Sequence, residues 1–163
     1  MRKALSMVAA ALVLALGVAD TVAAKSSGRT WHRHAHDASP ASIMRSAERG
    51  NARAQAILGF MYEFGRRVPQ DYVLAAKWYM RAAAQGEPHG QHLLGLLYDK
   101  GFGVTEDSIE AYKWLNLAAA RAGPRDRDYY IRMRNAVASK MDRYMIAEGQ
   151  ARARAWRPVR ERW

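Results

Sequence analysis

The sequence predicts an all-α chain built as an α/α-solenoid, a stack of antiparallel helix pairs, and three observations predict it. Ala, Arg and Leu dominate while Ile and Thr are sparse, a composition that favours helix over strand. The chain matches itself at an offset of 36 residues, a period in the solenoid range. Within each copy the apolar residues fall three or four apart on two successive segments, the spacing of amphipathic helices.

The first segment reads as a targeting signal. Arg2 and Lys3 precede a short apolar run from Ala4 to Val18, and Val22-Ala23-Ala24 supplies small residues at a cleavage spacing. Residues 1–24 therefore read as a secretory signal peptide cut after Ala24, because the run is shorter than the ~20 residues a membrane-spanning helix requires. A periplasmic or secreted protein is expected, with no transmembrane segment after signal removal. There is no cysteine, so the exported domain has to be held by its core alone.

Residues 25–39 carry no hydrophobic period and read as a flexible lead-in. Within them His32, His34, His36 and Asp37 alternate closely enough to chelate a metal together, but the segment has no preformed geometry and no metal or other cofactor is expected. After Pro40, Ile43, Met44 and Ala47 mark a short helix ending at Gly50.

The repeat follows, in units of about 50–85 and 86–122. Gly50, Gln55, Leu58, Gly59, Tyr62, Gly65, Val68, Asp71, Ala75, Lys77, Trp78 and Ala82 to Ala84 recur as Gly86, Gln91, Leu94, Gly95, Tyr98, Gly101, Val104, Asp107, Ala111, Lys113, Trp114 and Ala118 to Ala120. In the first unit Ala54, Leu58, Met61 and Tyr62 make one apolar stripe, and Leu74, Ala75, Trp78, Ala82 and Ala83 make the second. Gly65 can take the left-handed conformation that ends the first helix, and Asp71 can accept backbone N–H groups at the start of the next. Gly59 and Gly95 sit inside helices, where glycine costs roughly 1 kcal/mol against alanine, so close helix contact is expected there.

Beyond Gly123 the pattern degenerates. Tyr130, Met133, Val137 and Met141 mark one helix, while Asp142 caps another in which Met145, Ile146, Gly149 and Trp156 share a face. Residues 125–157 thus read as a closing helix pair, completing a solenoid over 40–157, and 158–163 as a frayed basic tail.

These residues resemble the Sel-like repeats of the tetratricopeptide superfamily. The resemblance runs through Ala54-Gln55, Leu58-Gly59, Tyr62, Gly65, Val68, Asp71, Ala75, Trp78-Tyr79, Ala82-Ala83 and Gly86, repeats from Gln91 to Ala119, and covers about residues 41–123. Ile146 to Gln150 with Trp156 is similar to the closing helix of many such bacterial proteins. Arg67 departs from the pattern where the second unit has Gly103, and Leu115 stands in place of the tyrosine represented by Tyr79. The resemblance implies a tetratricopeptide-like right-handed superhelix, a non-catalytic interaction scaffold and a protein or peptide partner.

It also implies that the first helix of each pair lines a concave face. Counted from the Leu-Gly anchor, the outward positions are Arg53, Ala56, Phe60, Glu63 and Phe64, then His89, His92, Leu96, Asp99 and Lys100. Phe60, Phe64 and Leu96 beside charges suit a peptide or protein partner. His89 and His92 stand one turn apart, as a metal half-site would, yet no third ligand is fixed by the sequence.

No catalytic residue is assigned. Ser27, Ser39, Ser42, Ser46, Ser108 and Ser139 lack a nucleophile context, and the matching Glu63 and Asp99 are explained by the repeat itself. A peptidoglycan- or β-lactam-related hydrolase activity is the enzymatic alternative. The formal charge of +11 offers another, because residues from Arg121 onward hold twelve Arg or Lys against five Asp or Glu, a net +7 suited to acidic glycan or anionic membrane. Nucleic acid is not an expected partner.

Overall fold

Each helix starts and stops where its capping residues dictate. In the computed structural model, which describes residues 39–159 and residue 161, Ser39 accepts a hydrogen bond from the Ser42 amide and Pro40 occupies the first turn of α1 (Pro40–Glu48). Asn51, Asp71, Glu87, Asp107 and Asp142 each accept first-turn amides, opening α2 (Ala52–Phe64), α3 (Tyr72–Ala84), α4 (Pro88–Lys100), α5 (Ser108–Arg121) and α7 (Arg143–Ala155). Pro124 begins α6 (Pro124–Ala138) without a side-chain cap. Gly65 (φ 62°) and Gly101 (φ 66°) end α2 and α4 in the left-handed region, as the sequence requires. The described residues hold seven helices and no strand. Residues 1–24, expected to be a signal peptide, and all of the lead-in except Ser39 lie outside them.

The two repeats are the helix pairs α2/α3 and α4/α5, joined by packing of α3 on α4 and of α2 on α4, with α1 covering α2. Their shared core contains Ala75, Ala76, Tyr79, Ala83, Leu94, Leu97, Trp114 and Leu117. The interior glycines mark the close approaches. A Cβ on Gly59 would stand 2.6 Å from the Tyr79 ring, and one on Gly95 would stand 2.8 Å from Leu115 Cγ.

Three expectations change in the structure. The buried stripe of α3 runs through Tyr79, which is fully buried, whereas Trp78 is only half-buried under the Arg81 guanidinium, 4.6 Å from its ring. The closing segment is not a helix hairpin like the two units: α6 and α7 each pack extensively on α5 but little on one another. And the segment after α7 is not frayed throughout, since the Val159 amide donates to Ala84 O at 2.8 Å and Glu161 pairs with Arg81 at 2.7 Å.

The departure at Arg67 also has a structural reading. Arg67 has φ 63°, matching the 69° of Gly103. A Cβ on Gly103 would overlap the Tyr72 carbonyl at the start of α3, so glycine is obligatory at this joint between units. In the first unit the equivalent turn carries the Arg67 side chain in the same left-handed conformation. Left-handed backbone is strained for any residue with a Cβ. Arg67→Gly should therefore raise stability by roughly 0.5–1 kcal/mol after the added freedom of the unfolded chain is counted, and Gly103→Ala should lower it. Urea denaturation of the two variants checks the contrast; equal effects would mean the two turns are equivalent.

Candidate functional site

The ten residues expected on the concave face divide between the stacking joint and the surface. Ala56 is fully buried and His92 is 5% exposed, so neither faces outward. The reason is the next unit: positions counted as outward from the Leu-Gly anchor meet the first helix of the following pair. On α4 that helix is α6. His92 stacks on Tyr130 with ring centroids 4.4 Å apart and meets Tyr129 edge-on at 5.2 Å. Leu96 is half-buried against the cluster of Ala111, Tyr112, Leu115 and Val137, and Asp99 accepts from Lys140 at 2.9 Å just past the end of α6. His89 lies beyond His92 in the same row, with Nε2 3.9 Å from Asp126 and Nδ1 3.4 Å from Glu87.

Burial sets the electrostatics of this row. It removes the His92 ring from water and, with His89 nearby, lowers its pKa to about 3, so the ring is neutral. Its Nδ1 has no hydrogen-bond partner. Burial likewise pushes the Tyr130 hydroxyl well up, helped by Asp126 and Glu87. Burial also works to raise the Asp99 pKa, but hydrogen bonds from Lys140 and Lys100 outweigh it and hold the carboxylate below its usual range. The pair His89 and His92 is thus a packed, aromatic-covered row, and among the described residues no cluster of three His, Asp or Glu is placed to hold a metal. The triad His32, His34 and His36 lies outside them.

On α2 the arrangement is different. Arg53 is exposed, and Glu63 accepts from the buried Tyr79 hydroxyl at 2.6 Å, which with burial drives that phenol's pKa far up. Phe60 is half-buried against the shared core, while Phe64 is 46% exposed. The two rings lie 4.6 Å apart, and the Arg66 guanidinium sits 5.0 Å from the Phe60 ring. Lys100, at the position of Phe64 in the second unit, is exposed and pairs with Asp99 at 3.0 Å. The surface that survives stacking is therefore an aromatic pair with arginine at one end and a Lys–Asp–Lys cluster at the other.

Sequence reasoning missed a second polar constellation. Gln55 is fully buried: its Nε2 donates to Ala47 O at 3.0 Å and Glu161 Oε2 at 2.8 Å, and its Oε1 accepts from Gln85 at 2.8 Å. Gln91, its repeat mate, donates to Ala83 O at 3.2 Å. The recurrence of a glutamine in an apolar stripe was the available signal, because a buried amide must find partners. Among the serines, Ser42 Oγ donates to Ser39 O and Ser139 Oγ to Ala136 O, local bonds that tie each hydroxyl to its own backbone.

Comparison with known proteins agrees with this geometry. The Sel1 repeat family's sequence profile matches residues 52–87 and 88–122, the two helix pairs. A Sel1 repeat protein from Oxalobacter formigenes, of known crystal structure, is 41% identical with a TM-score of 0.51, over 55% of this chain and 68% of its own. A protective antigen present in uropathogenic Escherichia coli strains, displaying an SLR fold, is 27% identical with a TM-score of 0.65, over 70% of this chain and 24% of its own. The chain thus spans about a quarter of that antigen's length. No curated protein matches the chain.

Proposed function

Because the chain belongs to the Sel1 repeat family, whose members generally serve as protein–protein interaction scaffolds and are typically non-catalytic, we propose that it is an extracytoplasmic scaffold holding a protein or peptide partner. Export rests on the tripartite start that ends at Ala24. No helix among the described residues is long and apolar enough to cross a membrane.

The observation that carries the binding reading is the Phe60–Phe64 pair with Arg66 on its ring. Aromatic and arginine side chains supply most binding energy at protein interfaces, since they bury large area with few rotatable bonds. Here an aromatic ring stands exposed at Phe64, where the second unit places a lysine. Leu96 is not part of this surface, because replacing it would test the seat of α6 instead.

The test begins with protein recovered from its native host, whose intact mass should start at Lys25. Its captured partner should bind the Phe64→Ser variant with affinity lowered by more than about 1 kcal/mol, at unchanged helix content. Arg127→Gln with Arg154→Gln, two exposed arginines of α6 and α7, should change affinity little and mainly alter its salt dependence. A normal affinity in Phe64→Ser with loss in the arginine pair would move the site to the basic surface.

A further inference from the structure

The segment after α7 occupies a seat that is built for more than a chain end. It runs back across both units and is anchored at three points. Trp156 packs against the shared core with its ring 6.4 Å from Trp114, edge to face, and the Arg121 guanidinium 4.4 Å from it. The Val159 amide donates to Ala84 O at 2.8 Å, at the end of α3 where helix carbonyls lack intrahelical donors. Glu161 then accepts from Arg81 through both oxygens, at 2.9 and 2.7 Å, and from Gln55 Nε2 at 2.8 Å. Between the first two anchors Arg157 and Pro158 are exposed and without regular structure.

The receptor side is held in place by contacts that do not involve this segment. Gln55 is fixed by Ala47 O and by Gln85, which also donates to Gly50 O at 2.9 Å, and Arg81 is stacked on Trp78. A buried amide and a bidentate guanidinium aimed at one carboxylate make a specific anion receptor. Nor does the repeat explain it. The residues one period beyond Arg81 and Gln85 are Leu117 and Arg121, so the first unit offers a carboxylate site where the second offers an apolar and cation–π site for an aromatic ring.

We propose that this edge of the two units is a second peptide-binding site, selective for an extended protein segment with an aromatic residue and, five residues on, a glutamate, and that Trp156 to Glu161 is its intramolecular occupant. A partner segment of that pattern gains the same contacts by displacing the chain's own. Tethering gives the internal segment a high effective concentration, so the site is open only to a partner that competes well or when the Glu161 contact is weakened. This site shares no residue with the Phe60–Phe64 surface and stands or falls apart from it.

The probe is a fluorescent peptide of the sequence of residues 155–163, Ala-Trp-Arg-Pro-Val-Arg-Glu-Arg-Trp, and the same peptide with glutamine in place of the glutamate. Anisotropy titrations should show the full chain carrying Glu161→Gln binding the glutamate peptide at least tenfold more tightly than the unmodified chain does. The glutamine peptide should bind several-fold more weakly, and adding Arg81→Gln to the protein should abolish the preference. Should Glu161→Gln disturb folding, hydrogen exchange of the Val159 amide in the unmodified chain gives the second readout, accelerating when excess glutamate peptide displaces the segment from Ala84 O. Absence of both effects would overturn the proposal and leave the segment a purely structural closure. Concentration-dependent dimerisation of the unmodified chain, with no peptide binding, would assign the seat to the same segment of a second copy and overturn it as well.

Discussion

Gly59→Val is expected to destabilise the protein by about 3 kcal/mol and lower its thermal midpoint by about 10 °C, several times the effect of an exposed substitution such as Lys77→Ala. A Cβ at residue 59 would lie 2.6 Å from both Cδ1 and Cε1 of Tyr79 and 3.1 Å from Ala75 O. The first neighbour is a fully buried ring, and the second is backbone. Nor can the ring swing aside, because its hydroxyl is tied to Glu63 at 2.6 Å and its body is part of the shared core. A β-branched side chain would have to push α2 and α3 apart along their whole contact. Gly59→Ala separates this account from helix propensity alone: propensity predicts a gain of roughly 1 kcal/mol, close approach predicts a loss. Differential scanning calorimetry reads the sign, and a stabilised Gly59→Ala would show that the helices have room to spare.

Acid is expected to unfold the chain through His92. Its folded pKa of about 3 lies below the ordinary 6.5, so between these values the unfolded chain binds the additional proton. The contribution is fully present above pH 6.5 and is lost as the pH falls from there towards 3, amounting to roughly 2–3 kcal/mol by pH 4.5. The Asp99 carboxylate, held low by Lys140 and Lys100, contributes in the same direction only at lower pH, as protons reach the ordinary carboxylate range and below. His92→Phe keeps a ring against Tyr130 and Tyr129 but has nothing to protonate. Urea midpoints measured at pH 7 and 4.5 should therefore converge in the variant and separate in the unmodified chain. An equal fall in both would place the acid sensitivity elsewhere.

The repeat, the helix boundaries and the close glycine contacts were legible in the sequence because each rests on a local rule. A cap needs an acceptor such as Asp71 at one position, a left-handed stop needs a residue such as Gly65, and a constant 36-residue offset announces itself when the chain is laid on its own copy. The candidate face was less legible. Ala56 and His92 sit at positions that a lone helix pair would leave in water, and only the placement of the following helix buries them. Spacing identifies a face of a helix; it does not say whether that face meets solvent or the next unit. The partners of Gln55 lie still further from local rules, since Glu161 is more than a hundred residues away and shares no period with it.

The glycine at the joint between units makes the two repeats unequal as genetic material. A tandem copy of the second unit inserted after itself would carry Gly103 to each new joint, and the chain could lengthen without altering a residue there. A copy of the first unit would bring Arg67 against the carbonyl that opens the preceding α3, a place where even a methyl group has no room. Growth of this stack by duplication thus has a preferred donor: the second unit can seed further repeats, while the first can found a stack but not extend one without first exchanging arginine for glycine.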